Sequence, residues 1–249
     1  MSDNRFMRTA ALLGAERFAR LKKSSVMVIG LGAVGGYALE ALARSGIGRL
    51  VLVDFDKVDE TNINRQILAL GSTIGQSKAR LAAARVADIN PDCQIEIKEI
   101  FVNNQTLPEL LSEPVDFVVD AIDSLNPKCS LLEALADKKI PFISSMGAAL
   151  KTDPSRIRLQ FLDKTSNCHL ARFIRKRLKR RGVDIRKILC VASDEQACLP
   201  ETALFIDEEN QPEGNTRQRH TMGSLPTITA IFGLMIANAV ILSLSGAEH

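Results

Sequence analysis

The stretch Gly30-Leu31-Gly32-Ala33-Val34-Gly35 narrows the possible folds of this chain more than any other. It follows a short, continuous apolar run, Val26 to Ile29. It precedes an Ala-rich segment of helical propensity, Ala38 to Arg44, and a second apolar run, Leu50 to Val53, which ends at Asp54. Strand, glycine turn, helix, strand is a βαβ unit, whose strands lie parallel in one sheet. Glycines let the backbone turn tightly and approach a phosphate. The helix N-terminus offers unpaired N–H groups and partial positive charge, and a carboxylate at the next strand end accepts hydrogen bonds from ribose hydroxyls. Alone, the pattern says only nucleotide, and a glycine turn serving close helix packing would read the same way.

The rest of the chain extends this unit. Ile95 to Phe101, Phe117 to Ala121 and Phe142 to Ser144 are strand candidates, separated by helical stretches at Ser77 to Ile89 and Lys128 to Lys138. The alternation predicts an α/β fold of Rossmann-like type with a mostly parallel central sheet. No repeat or Pro/Gly/Ser linker divides the 249 residues, so a single domain is expected over 1–249: a nucleotide-binding core at 1–147 and a C-terminal extension at 148–249 that completes the sheet. In the extension, Ile157 to Leu162 and Lys187 to Ala192 read as strands flanking a basic helix, Leu170 to Arg181. Leu170, Phe173, Ile174 and Leu178 form its expected inward face. Ser193 to Gly223 is polar and turn-rich, as in a crossing loop. The uncharged run Leu225 to Leu244 approaches membrane-spanning length, but Pro226, Asn238 and several Thr and Ser favour a helix buried at the end of a large sheet.

Charge is unevenly placed. The chain carries +3, whereas Arg172 to Lys187 holds nine Lys or Arg against one Asp, a window of +8 that leaves −5 for the remainder. Such a window is either a solvated helix face or a docking surface for an anionic partner. Aromatics at 4% without Trp argue against a nucleic-acid reader built on rows of stacking rings, and leave recognition by charge and shape open. Cys93, Cys129, Cys168, Cys190 and Cys198 form no Cys-x-x-Cys pair, and no apolar signal segment precedes them. A reduced, cytoplasmic protein without structural zinc is the expectation, with Cys168 and Cys190 as small core residues.

After Asp54 come Asp56, Asn62-Ile63-Asn64-Arg65-Gln66, Gly75-Gln76-Ser77-Lys78 and Asp120-Ala121-Ile122-Asp123-Ser124. Hydride transfer to a nicotinamide has no need of this Arg, Lys and Asp set. Transfer at a nucleotide phosphate does, because charge developing on oxygens calls for fixed cations and a metal-holding carboxylate. Taken singly, Arg65 and Lys78 equally suit solvated helix cations, and Asp123 suits a helix cap.

With these motifs in place, the chain resembles the ThiF and MoeB type of adenylating enzymes, bacterial relatives of ubiquitin-activating enzymes, from Arg5 to Leu244. The resemblance implies that Gly30, Gly32, Gly35, Asp54, Asp56, Asn62, Arg65, Gln66, Lys78 and Asp123 surround ATP. In that scheme Arg65 and Lys78 lie on the phosphates, Asp54 on the ribose and Asp123 on Mg2+. It also implies a homodimer in which an N-terminal arginine, Arg8 or Arg5, reaches the partner's site. The segment Asp163 to Arg172, continuing through Arg175 to Gly182, resembles the tRNA threonylcarbamoyladenosine dehydratase branch of the family. That branch implies tRNA as substrate, with Arg172, Arg175, Lys176, Lys179, Arg180 and Arg181 facing its phosphates. The implied reaction is adenylation of the threonylcarbamoyl carboxylate beside the anticodon, then cyclisation with net loss of water. The alternative is a zinc-free activator of a sulfur-carrier or ubiquitin-like protein ending in Gly-Gly, with a cysteine desulfurase or sulfur acceptor as a possible partner. His169 and His220 are weak general-base candidates, and neither sits at a metal-ligand spacing.

Overall fold

Val26, Met27, Val28 and Ile29 are buried on both faces, as a central parallel strand requires, and they form β1 (Ser25–Ile29). The other strands are β2 (Arg49–Val53), β3 (Gln94–Lys98), β4 (Phe117–Asp120), β5 (Phe142–Ser145), β6 (Ile157–Phe161) and β7 (Leu189–Ser193). They make one seven-stranded sheet in the order β3-β2-β1-β4-β5-β7-β6, parallel except for β6 against β7. The computed structural model describes residues 4–197 and 222–247. Cys198, His220, His249 and most of the expected crossing loop therefore lie outside the described residues.

The chain places β2 on one side of β1 and β4 on the other, with Ile29 paired to both Val53 and Asp120. Strand order reverses at that point, which opens a crevice at the carboxyl ends of β1 and β4 where open α/β sheets bind ligands. The sheet continues unbroken across residue 147, where Ser144 of β5 pairs with Cys190 of β7.

The helices are α1 (Met7–Leu13), α2 (Ala15–Lys23), α3 (Gly35–Arg44), α4 (Lys78–Ile89), α5 (Leu107–Leu110), α6 (Leu125–Lys138), α7 (His169–Arg180) and α8 (Pro226–Ser245). Sequence reading did not identify α1, α2 or α5. The first two are short and separated by Gly14 at φ 85°, and α2 buries only Leu21, so neither gives a long apolar period.

The α8 helix is long and apolar enough to cross a membrane by length and composition. Here Ile228, Phe232, Ile236 and Val240 bury one stripe of it in the main core. A Cβ on Gly233 would collide with the Val34 carbonyl, so the glycine lets α8 approach α3 closely.

One expected core residue is corrected. Ala171, Ile174 and Leu178 are buried on α7, but Phe173 is 45% exposed. It lies one position from Ile174, a rotation of about 100°, which swings it off the buried stripe.

Candidate functional site

Gly30 donates its N–H to the Val53 carbonyl at 2.8 Å and stands at φ 88°. A Cβ there would come within 2.9 Å of the Ala121 carbonyl oxygen. A Cβ on Gly35 would run into the carbonyl of Gly30. The chain's own packing therefore demands both glycines. Gly32 differs, since a Cβ there would meet nothing closer than the Gln66 amide nitrogen at 3.7 Å. The protein leaves that space open. Gln66, only 8% exposed, borders it and has an amide oxygen with no hydrogen-bond partner among the described residues. An open approach to the backbone beside an unsatisfied buried amide is what a site for a polar ligand looks like.

Asp54 sits at the end of β2 with its carboxylate folded back on the glycine turn. One oxygen accepts from the Leu31 N–H at 2.6 Å and the other from the Asp56 N–H at 2.8 Å. Burial pushes this carboxyl above the ordinary aspartate range, opposed by those two N–H groups and by the positive charge of Lys78. Asp54 thus shapes the turn, and each oxygen retains a second lone pair for a ligand hydroxyl.

Lys78 is the first residue of α4, behind the N-cap Ser77. It is not a solvated surface cation. It is 5% exposed, and its Nζ lies 3.0 Å from Asp56 Oδ2 while its N–H donates to the Asp56 carbonyl at 3.0 Å. Arg65 donates to the Thr61 carbonyl and the Asn64 amide oxygen, each at 2.8 Å, and forms no carboxylate ion pair among the described residues. Asn62 is buried and accepts from the Asp59 N–H at 3.3 Å, closing the turn that carries Arg65. Its amide oxygen serves the protein's own backbone.

Asp123 is exposed just before α6. The N-cap is Ser124, whose hydroxyl donates to Asp123 Oδ1 at 3.3 Å, so Asp123 does not cap the helix. The loop is anchored from below by a cluster not identified from sequence. Lys128 and Asp120, both wholly buried, pair at 2.7 Å. Asp120 Oδ2 also accepts from the Ser144 hydroxyl at 2.6 Å and Oδ1 from the Ile122 N–H at 3.1 Å, while Lys128 donates to the Ile122 carbonyl at 2.7 Å. Both polar groups of Ile122 are held, one residue before Asp123. The available signal was Lys128 in register with Leu131, Leu132 and Leu135 on the buried stripe of α6.

Glycine turn, Asp54, Asp56 and Lys78 are thus joined by direct contacts, and Gln66 borders the open space over Gly32. Arg65 lies in the turn beside Gln66, and the Ala121–Ile122 backbone, leading into Asp123, abuts Gly30. Arg5 and Arg8 are separate from this group. Arg5 donates to the Asp88 carbonyl at 3.0 Å, while Arg8 is exposed on α1.

The basic window divides. Arg175 turns inward, donating to the Thr165 carbonyl at 2.6 Å and to its hydroxyl, and Arg181 pairs with Glu133 at 2.6 Å. Arg177 bonds Asn126. Arg172, Lys176, Lys179 and Arg180 are exposed, with no ion pair among the described residues. His169, also exposed, lines with Arg172 and Gln196 a hollow of about 300 Å3 at the head of the helix. Cys93, Cys129, Cys168 and Cys190 are buried free thiols. Desolvation pushes Cys93 up to about 11 and Cys190 up to about 12, which leaves both unreactive at neutral pH.

The ThiF family model matches residues 4–249. The tRNA threonylcarbamoyladenosine dehydratase of Bacillus subtilis is 37% identical over 247 residues, covering 97% of this chain and 94% of the relative. The enzyme of the same name from Escherichia coli is 35% identical over 93% of this chain and 90% of its own length. Among solved structures, that of E. coli tRNA N6-threonylcarbamoyladenosine dehydratase, TcdA, in complex with ATP superposes with a TM-score of 0.86 at 32% identity, covering 99% of this chain and 97% of that one.

Proposed function

We propose a function from the premise that this chain belongs to the ThiF family: it is an ATP-dependent tRNA threonylcarbamoyladenosine dehydratase that works by adenylation. The observation that carries the site is the space kept open above Gly32, bordered by Gln66, in the turn that Asp54 holds in shape beside the nearly buried Lys78.

In this reading the phosphates of ATP approach the turn and the N-terminus of α3, and the ribose hydroxyls donate to the free lone pairs of Asp54. A threonylcarbamoyl carboxylate oxygen attacks the α-phosphorus in line, and the bond from that phosphorus to the α–β bridging oxygen breaks. Lys78 and Arg65 stabilise the charge that moves onto the departing pyrophosphate. Mg2+ fits the exposed Asp123 carboxylate, whose one hydroxyl contact leaves acceptor positions vacant, and would supply further neutralisation of phosphate charge. The acyl-adenylate then loses AMP as a nucleophilic atom of the same modification bonds to the carbonyl carbon and gives up its proton. One carboxylate oxygen leaves on AMP, so the modification has lost one water in sum. No protein nucleophile is needed. The exposed cations of α7 receive the tRNA backbone, Arg8 rather than the engaged Arg5 crosses to a second copy in a homodimer, and the enzyme works in the cytoplasm.

The test is incubation with ATP, Mg2+ and tRNA bearing threonylcarbamoyladenosine, followed by mass spectrometry of the nucleosides. The expected result is loss of one water, with AMP and pyrophosphate formed in equal amounts. Unchanged nucleoside overturns the reading. Pyrophosphate exchange stimulated by a carrier protein ending in Gly-Gly, and indifferent to RNA, would replace it with carrier activation.

A further inference from the structure

Phe173 is a large apolar ring that the fold declines to bury. The exposed residues of α7 at positions 169, 172, 173, 176 and 180 recur at three- and four-residue spacing and share one face of the helix. Arg172, Lys176 and Arg180 make that face cationic, Lys179 flanks it, and none of the four is neutralised by a carboxylate among the described residues. In the middle stands Phe173, 45% exposed, with the Arg172 guanidinium 5.1 Å from its ring centroid. Arg172 also borders the hollow at the head of the helix. A half-exposed ring, with Arg172 over it and cations without carboxylate partners around it, suits a partner that is anionic and carries flat faces of its own.

That combination describes single-stranded nucleic acid, where cations track the phosphates and an aromatic ring receives a base. We propose that Phe173 stacks an unpaired base of the bound RNA on the ring face away from the Arg172 guanidinium, with Arg172, Lys176, Lys179 and Arg180 following the phosphates. The proposal rests on the tRNA reading above and deepens it. The cations supply sequence-independent attraction, while the ring requires a base free of its stack, as in a loop and not in a continuous duplex. An acidic protein surface would satisfy the cations without needing the ring, and a second copy of this chain would bring its own cations against them.

The test measures binding of an anticodon stem–loop RNA, with 2-aminopurine at loop positions, to the full-length protein over a range of salt. Phe173→Ala should weaken binding about fivefold or more, as expected for loss of one stacked base, and should abolish the fluorescence quenching that stacking produces. Phe173→Tyr should restore both, whereas Phe173→Leu should restore neither. The slope of log affinity against log salt should be unchanged by any Phe173 variant and reduced by roughly 0.7–0.9 for each phosphate contact removed, as in Lys176→Ala. Because the ring is exposed, melting temperatures should match the unchanged protein. Binding by Phe173→Leu equal to that of the unchanged protein overturns this inference alone. So does a shift in oligomeric state on Phe173→Ala, which would assign the ring to a contact between copies. Failure of the unchanged protein to bind RNA overturns the tRNA reading together with it.

Discussion

Lys78 and Lys176 carry the same charge on the same kind of helix, yet the first is 5% exposed with its ammonium 3.0 Å from Asp56, and the second stands exposed. The crevice around Lys78 holds its charges in place through backbone contacts: Asp54 through two N–H groups and Asp123 through a loop pinned at Ile122. The face around Lys176 leaves its cations exposed and without carboxylate partners among the described residues. A reaction at phosphorus needs charges already oriented before the barrier is reached, because reorganising them would cost what they contribute. A polymer with a repeating charge needs only a dense field, and gains affinity from released counterions whatever the details of each side chain.

The largest expected effect lies beneath the crevice. Lys128→Met leaves Asp120 buried without its counter-charge and should destabilise the fold by about 3–5 kcal/mol. Pairing it with Asp120→Asn should recover part of the loss, as seen in denaturant midpoints. Equal loss in single and double variants would show that the loss does not come from the uncompensated charge on Asp120.

Next are the crevice residues themselves. Lys78→Ala should lower kcat by roughly 100- to 1,000-fold, the usual scale for removing one oriented charge from a transition state, with RNA affinity unchanged. The glycines separate by role: Gly35→Ala should lower the melting temperature, while Gly32→Ala should leave it unchanged and weaken ATP binding. Calorimetric titration with ATP on both variants decides this, and normal ATP binding by Gly32→Ala would break the contrast.

On α7 the effects should be smaller and of a different kind. Lys176→Ala, Lys179→Ala and Arg180→Ala should each make RNA binding less salt-sensitive while leaving the KM for ATP unchanged. Arg175→Ala and Arg181→Ala, which lose contacts to Thr165 and Glu133, should show up in stability and not in the salt slope. A salt slope that fell equally for all five would mean that the inward contacts open on binding.

The smallest effect concerns Asp54. Its carboxyl is raised above the ordinary aspartate value chiefly by burial, so ionising it is harder in the fold than in the unfolded chain. Protonation therefore favours the folded state on the acid side, and that contribution is lost as pH rises through the folded pKa. ATP affinity should run the other way. It should fall as pH drops through that same value, because the neutral acid surrenders an acceptor. Asp54→Asn should flatten the acid limb of the ATP-binding profile.

Much of the crevice was legible in the sequence because its requirements are local. A backbone at φ 88° next to Ala121, or a helix start against the Gly30 carbonyl, admits glycine and little else, so the residue type reports the conformation. The strands were legible for a similar reason: buried parallel strands are short apolar runs, and Val26 to Ile29 is one. Phe173 was misplaced because an apolar residue one step off a helical stripe looks much like one on it. The sequence does not show that Arg175 and Arg181, grouped with the RNA-facing cations, are engaged within the protein, because Thr165 and Glu133 lie ten and forty-eight positions away in the chain. Lys128 was not identified because the need for it arises from Asp120 on another element.

By itself, then, the sequence settled the βαβ unit, the parallel sheet, the glycine turn and the list of groups that could meet a triphosphate, since each follows from conformational limits on a few adjacent residues. Tertiary structure decided which of those groups are already committed, which cations lack a carboxylate partner among the described residues and where an aromatic ring is left partly exposed. A charge or a ring has no fixed role until the fold determines its distance to a partner and how much water remains around it.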